Sequence, residues 1–559
     1  MCLHPTAADI VLSRPVIESC IMSLTSADIL ARRLYDAGCR HAFGIPGGEV
    51  LSVMHALDQA GVEIVLTKHE NGAGFMAEGC YHRTGAPGVL FATLGPGMAN
   101  AFNVIANAYQ DRVPLVFLTG RVDDIDIASY THQVFDHVKA LEPVVKGSFT
   151  LVDGAVDRIV DRALSLAMSG RPGPVHIDVP ISLAAKVQKI AEKLWQPAYL
   201  PSVPAVSSAL TEIRDRLATA KRPLAVLGLE ILSEGCAAEV RAFLLKHGIP
   251  SVATYKAKGV VPDDHPLSLG GAGLSPKADK EVLPLLSQSD CLLLIGYDPI
   301  EMRHGWQDVW QPGEQFVAEF ILEPNLHGMH RASHTFVGSL APALAVLDQG
   351  LSRSEAGWPE GEFARAKDAL VKAFPTTEEW GPAAIVDEVR KALPDHGIAS
   401  VDSGAHRILQ SQQWVCREPH TLIQSSGLCT MGCALPLAMG AKVASPDLPV
   451  VAFTGDAGLE MILGELSTLR DLKLPVVVVV FVDASLALIE LKQRGSGRDN
   501  LAVDFGGTDF AALARAMGGV GIDARNRAEM AAALEGAFTG DRFTLIAAHI
   551  DREAYDGRF

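Results

Sequence analysis

The hydrophobic positions of this chain fall into short apolar runs separated by stretches with helical spacing. In the first third the runs are Ile64–Leu66, Gly88–Ala92, Leu115–Thr119 and Val175–Val179. An amphipathic stretch with Ile29, Leu30 and Leu34 on one face precedes them; Thr25 or Ser26 is its cap and Gly38 its stop. The middle third repeats the style with Leu224–Leu227, Ser251–Thr254, Cys291–Ile295 and Phe316–Ile321. In the last third, Val450–Phe453 and Val476–Val482 are apolar at every position, the pattern of strands buried on both faces. Strands alternating with helices predict an α/β protein built on parallel sheets. Two polar stretches, roughly Lys186 to Ala205 and Ser352 to Glu379, divide the chain. The organisation expected is an extension over 1–22, then three doubly wound parallel-sheet domains at 23–190, 205–350 and 376–559. A length of 559 residues is too great for one core and suits three.

Composition narrows the function classes. Against 65 acidic residues stand 48 basic ones, a formal charge of −17, and no basic stripe interrupts them, so nucleic acid is excluded as a partner. The longest apolar run, Leu474 to Val482, is about half of the roughly 20 residues that span a bilayer, so no membrane span is expected. The opening residues lack a cationic start followed by a long apolar stretch, so no secretory signal is expected. The nine cysteines form no Cys-x-x-Cys pair, and Cys429 and Cys433 have no neighbours to complete a zinc set. Reduced thiols in a cytoplasmic protein are the reading that follows.

The strongest local chemistry begins at Val450, in VVAFTGDAGLEM, and continues through ELSTLRDLKLPVVVVVFVDAS. One buried strand runs into Gly455-Asp456-Ala457-Gly458, a helix follows, and a second buried strand ends at Asp483, 27 residues after Asp456. Both acids therefore stand at carboxyl ends of parallel strands, where open α/β sheets bind ligands. Two adjacent strand ends present oxygens to one hard cation, and the Ala457 and Gly458 amides can take a phosphate. An Asp after a strand is, taken alone, more often a helix cap.

That stretch resembles the metal–diphosphate motif of thiamin-diphosphate enzymes, Gly-Asp-Gly or Gly-Asp-Ala followed one crossover later by Asn or Asp. The resemblance implies that Asp456, Asp483 and the Ser485 carbonyl hold Mg²⁺, with Gly455, Ala457 and Gly458 at the diphosphate. LTKHENGAGFMAEG is similar to the segment carrying the family's catalytic glutamate, here Glu70. Its carboxyl group would favour the imino form of the cofactor's aminopyrimidine, which takes the proton from the thiazolium carbon. FATLGPGMANAFNVIANAYQDRVPLVFLTGRV resembles the family's next block, a glycine turn feeding a helix. VDSGAHRILQ resembles the diphosphate-holding turn, with Ala405 and His406 nearest the phosphates. SSGLCTMGCALPLAMGAK resembles the block that grips the pyrimidine. Met431 would be the apolar wedge that bends the cofactor, and Cys429, where relatives have Gly, would offer its carbonyl to the amino group. Without the family, such a Met is core filler.

Within that class the chain is similar to acetolactate synthases of the catabolic, flavin-independent kind. FGIPGGEV, YTHQVFDH and LIGYDPIEMR carry this likeness, while Gly228-Leu229-Glu230 stands where flavin-binding relatives have a glycine cluster. FAD is therefore not expected. Gly48, Gln133, Leu488, Ile489 and Lys492 are the implied substrate residues. Two positions depart from the pattern: Glu49 replaces an Ala or Lys beside the thiazolium turn, and Lys492 replaces a substrate-discriminating Trp. Lys492 either meets an anionic acceptor or points to solvent. The activity implied is decarboxylation of a 2-oxo acid such as pyruvate and transfer of the acyl carbanion to a second carbonyl. The resemblance also implies a homodimer or homotetramer with active sites between subunits. Three rivals stay open: another lyase or transferase of this cofactor, acting on an acyl-CoA, sulfoacetaldehyde or a hydroxyketone; a flavin-dependent pyruvate oxidase; and an inactive binding protein, which retention of Glu70, Asp456 and Asp483 disfavours.

Overall fold

Thr25 opens the first helix, Ser26–Asp36, with a reciprocal cap: its hydroxyl accepts from the Asp28 amide at 3.2 Å while the Asp28 carboxylate accepts from the Thr25 amide at 2.9 Å. Ile29, Leu30 and Leu34 are buried on its inner face. The structure is a computed structural model and describes residues 24–189, 202, 204–326, 328–353 and 357–559. The extension expected over residues 1–22 and the central part of the first polar stretch lie outside the described residues.

Three six-stranded parallel sheets, each flanked by helices, carry the chain. The first holds β1 (His41–Gly44), β2 (Glu63–Leu66), β3 (Gly88–Ala92), β4 (Leu115–Arg121), β5 (Gly147–Thr150) and β6 (Val175–Pro180), in the order β2-β1-β3-β4-β6-β5. The second holds β7 (Pro223–Leu227), β8 (Ser251–Thr254), β9 (Ser268–Ala272), β10 (Cys291–Ile295), β11 (Phe316–Ile321) and β12 (His334–Val337), in the order β9-β8-β7-β10-β11-β12. The third holds β13 (Ile398–Val401), β14 (Leu422–Gln424), β15 (Val450–Gly455), β16 (Val476–Val482), β17 (Val520–Ala524) and β18 (Thr544–His549), and its order β14-β13-β15-β16-β18-β17 repeats that of the first.

The first and third sheets are joined by a shared core. Helix α1 (Glu70–Thr84) lies against a helix of the third domain, Ala434–Ala444, and Met76, Met98, Leu437, Leu466 and Phe510 belong to one buried cluster. Glycine makes the approach possible: a Cβ on Gly440 would stand 1.9 Å from the Met76 carbonyl oxygen, and one on Gly79 would stand 2.2 Å from that of Leu437. The second polar stretch is not simply a spacer. It contains the helix Glu362–Ala373, whose Phe363, Ala366 and Leu370 pack onto the second sheet beside Trp306 and Trp310.

Candidate cofactor site

The third sheet reverses its strand order between β13 and β15, so a crevice opens at their carboxyl ends. From β13 come Ser403, Gly404, and the start of helix α2 (Ala405–Gln413); from β15 come Gly455 and helix α3 (Asp456–Glu460). A cavity of about 230 Å³ lies there. It is lined by Ala405, His406, Cys429, Met431, Gly455, Asp456, Ala457, Gly458, Asp483, Ser485, Leu488 and Ile489, and also by Phe481, Leu486 and Tyr555.

Asp456 builds the turn that follows the neighbouring strand. Its Oδ1 accepts from the Ala457 amide at 2.8 Å, and its Oδ2 accepts from the amides of Asp483 and Ala484 at 3.0 and 2.7 Å. Ala484 takes a left-handed backbone, φ 52°, which turns the chain toward Ser485, whose amide donates to Asp483 Oδ1 at 3.1 Å. The two carboxylates are thus brought together with no ion-pair partner among the described residues. Burial raises the pKa of Asp456, and burial together with the Asp456 charge raises that of Asp483 to about 7. The Arg552 charge offsets this only in part. Two carboxylates and a backbone oxygen beside room for phosphate oxygens make a donor set that fits a hard divalent cation.

The rest of the crevice fits an anion held by that cation. Burial and the Arg407 charge lower the His406 pKa to about 3, so the ring is neutral; it stacks on Phe481 at 5.1 Å, and its Nε2 has no partner among the described residues. Cys429 has a left-handed backbone, φ 53°, a conformation that glycine adopts without strain. Its thiol donates to the Ser426 carbonyl at 2.8 Å and accepts from Arg407 Nη1 at 2.9 Å. Asp402, the last residue before the Ser403-Gly404 turn, is fully buried and ties the crevice together. Its Oδ2 accepts from the Gly432 amide and the Thr454 hydroxyl, both at 2.9 Å, and its Oδ1 from the amides of Ser403 and Cys433 at 2.9 and 3.2 Å. Sequence reasoning missed Asp402, although it carries the signal used for Asp456, an acid at the end of a buried strand.

Four of the expected residues stand elsewhere. Glu70 heads α1 in the first domain, buried, and its Oε2 accepts from Asn100 Nδ2 at 3.0 Å. Asn100 and Met431 line one further cavity, of about 680 Å³, between the first and third domains. Gln133 lines a cavity of about 320 Å³ in the first domain, beside Arg121, His137 and Asp178. Gly48 is exposed on the turn after β1, and Lys492 is exposed on helix α4 (Ala487–Gly495), whose first turn carries Leu488 and Ile489. A second missed element braces the Gln133 loop: His137 Nε2 accepts from the Gly95 amide at 3.1 Å and its Nδ1 pairs with Asp178 Oδ1 at 2.9 Å. Gly95, φ 64°, has room for no side chain, because a Cβ would stand 2.3 Å from the Gln133 carbonyl oxygen.

Fold and crevice together define a class, an α/β enzyme that binds a diphosphate-bearing cofactor in its third domain, and comparison with known proteins gives the same class. The N-terminal TPP binding domain, the central domain and the C-terminal TPP binding domain of thiamine pyrophosphate enzymes match residues 24–140, 210–347 and 402–548. The chain belongs to the thiamine pyrophosphate (thiamin diphosphate) enzyme family. Within it the likeness is to acetolactate synthases. That of Bacillus subtilis (strain 168) is 28% identical over 94% of this chain and 93% of its own length. The large subunits of isozymes 1 and 3 of Escherichia coli (strain K12) are each 30% identical, over 95% and 89% of this chain and 94% and 89% of their own lengths. No helix among the described residues is long and apolar enough to cross a membrane.

Proposed function

We propose that this chain is a Mg²⁺-dependent carboligase that decarboxylates a 2-oxo acid, pyruvate in the first instance, and joins the remaining acyl unit to a second carbonyl compound. The observation that carries this reading is the crevice of the third sheet, where two facing carboxylates without a cation adjoin a neutral His406 and the open amides of α2. Asp456, Asp483 and the Ser485 carbonyl would hold the metal; Ala405 and His406 would meet the diphosphate. Met431, which borders both the crevice and the cavity shared with Asn100, would support the bend between the two rings. When bound, thiamin diphosphate supplies a nucleophilic carbon and an electron sink for loss of carbon dioxide. Glu70, in its buried place at the head of α1, would hold the proton that the aminopyrimidine needs, and the apolar Leu488 and Ile489 would keep water from the reacting carbonyl.

The same reading holds that the chain works without a flavin. Its support is the central domain, whose own crevice lies between β7 and β10. There Glu230 is fully buried, pairs with Arg171 of the first domain, and accepts from the Leu322 amide at 2.8 Å. A Cβ on Gly228 would stand 2.2 Å from the Gly296 carbonyl oxygen, so the two loops approach closely there, which supports this reading.

Glu70 does not line the crevice that holds Asp456, which supports a homodimer or homotetramer whose sites pair a first domain with another copy's third domain. The test is an assay of carbon dioxide release from a panel of 2-oxo acids with thiamin diphosphate and Mg²⁺, with and without a second carbonyl acceptor. Mixing Glu70→Gln with Asp456→Ala subunits extends it. Each variant alone should be inactive, and a randomly mixed dimer should regain about a quarter of wild-type turnover, from one intact site in half of the dimers. No carbon dioxide from any 2-oxo acid would refute the activity, and no recovery on mixing would refute the shared site.

A further inference from the structure

The last residues of the chain, 551–559, run from the end of β18 back to the crevice of the third sheet. They are held from three sides. Arg494 of α4 donates to both oxygens of Asp556, at 2.8 and 2.7 Å, and Arg552 pairs with Glu490 of the same helix and with Asp504. Arg558 pairs with Glu378, at the start of the third domain. Lys277 of the central domain donates to the Gly557 carbonyl at 3.1 Å, and Phe559 packs against that domain's core.

The point of this strap is Tyr555. Its side chain is 2% exposed and lines the cavity with Ala405, His406, Asp456 and Asp483. Its hydroxyl has no hydrogen-bond partner among the described residues, although a buried phenol ordinarily finds one. An unpartnered phenol on the wall of a cavity suited to a cation and an anion is placed to meet an oxyanion.

Resting on the cofactor reading above, we propose that Tyr555 donates a hydrogen bond to the diphosphate group and that the C-terminal strap thereby retains the cofactor. Inorganic pyrophosphate and thiamin diphosphate, each titrated into the full-length protein by calorimetry at saturating Mg²⁺, are the probes. Tyr555→Phe removes only the unpartnered hydroxyl, so its thermal transition should match wild type. Its dissociation constants for both probes should rise about tenfold, the worth of one charge-assisted hydrogen bond. Arg494→Gln keeps the hydroxyl but loosens the strap, and should speed cofactor release. Thiamin diphosphate should also protect the strap from tryptic cleavage at Arg552 and Arg558 in wild type, and should protect it less in Tyr555→Phe. Unchanged dissociation constants in Tyr555→Phe, with protection intact, would overturn the proposal while leaving the cofactor site standing. Failure of wild type to bind either probe would refute the cofactor reading itself, and the proposal with it.

Discussion

Replacing Asp402 by Asn tests whether the crevice is assembled by one buried carboxylate. In the wild-type protein Oδ2 accepts from the Gly432 amide and the Thr454 hydroxyl, and Oδ1 from the amides of Ser403 and Cys433 and, at 3.5 Å, from the Cys433 thiol. Asparagine keeps the shape but turns one acceptor into a donor, so whichever way the amide lies, at least two of the donors face an NH₂. Bonds to a charged acceptor contribute about 1.5–3 kcal/mol each, so the loss is on the order of 3–6 kcal/mol. Part is recovered, because burial raises the Asp402 pKa and the neutral amide escapes that penalty. A net loss of about 2–4 kcal/mol is expected, and it falls on the joint between the diphosphate turn, β15 and the Met431 loop. Unfolding of a chain of three domains need not be two-state, so the informative readout is the cofactor. Calorimetry should show the thiamin diphosphate dissociation constant rising at least about tenfold, with a lowered thermal transition, since 1.4 kcal/mol corresponds to tenfold. Gly458→Ala should act alike by a steric route, because its Cβ would stand 2.4 Å from Asp402 Oδ2. An Asp402→Asn protein with wild-type affinity and wild-type thermal transition would refute this account of the crevice.

Glu70→Gln should alter cofactor affinity by no more than about 1–3 kcal/mol, while turnover falls about 10²-fold and deuterium exchange at the thiazolium carbon slows in parallel; normal exchange would make Glu70 a helix-start residue only. At the junction of the three domains, burial lowers the pKa of His82 and His420 to about 3 and raises that of Glu78 to about 8. Between about pH 4.5 and 6.5 the unfolded chain binds two histidine protons against one held by folded Glu78, so this cluster stabilises the fold as pH rises; between about 6.5 and 8 only folded Glu78 holds a proton, and stability falls. Thermal scans of Glu78→Gln should therefore lose the falling limb, and an unchanged profile would contradict the assignment. Lys492 has no ion-pair partner among the described residues and lies four residues beyond Leu488 on α4. Lys492→Leu should raise KM for anionic acceptors and leave carbon dioxide release from the donor unchanged, whereas identical acceptor kinetics would put that lysine in solvent.

What the sequence made legible follows the depth of burial only in part. Cys291–Ile295, Phe316–Ile321 and Val476–Val482 are long, apolar at nearly every position and placed where expected, because strands buried on both faces tolerate little else. Of the strands overlooked in the pattern, Ile398–Val401 and Thr544–His549 are as buried as those recognised, so burial does not account for them, while three others had physical reasons to be hidden. His334–Val337 is an edge strand with alternate residues exposed, Ser268–Ala272 carries two glycines, and Leu422–Gln424 is only 3 residues long. The crevice was legible because Asp456 and Asp483 lie at the ends of two such buried strands, one crossover apart. Tyr555 and the strap were not, since nothing in DREAYDGRF marks a tyrosine 72 residues beyond Asp483 as a neighbour of it. The Glu230–Arg171 pair was equally hidden, being a contact between domains.

The chain forms the same kind of crevice three times, and the difference between the three lies in what each loop pair does with its charge. In the first sheet the reversal falls between β1 and β3, where Glu49 accepts from the Thr93 hydroxyl at 2.6 Å. That carboxylate is satisfied locally, and the glycines beside it leave backbone rather than charge on the surface. In the central sheet Glu230 is satisfied by Arg171 from another domain, so the crevice is filled by a buried ion pair. Removing one partner of such a pair costs about 3–5 kcal/mol, whereas the intact pair adds little net stability, so its contribution is to fix how the first and central domains meet. In the third sheet Asp402 is satisfied by backbone and a hydroxyl, and Asp456 organises the turn carrying Asp483, yet neither Asp456 nor Asp483 forms an ion pair with a side chain among the described residues, Arg552 acting on Asp483 only from a distance. The central crevice alone is closed by an internal ion pair; in the first a hydroxyl satisfies the carboxylate, and in the third Asp456 and Asp483 stand together with backbone donors and no ion-pair partner among the described residues, which is the arrangement that supports the metal site proposed above.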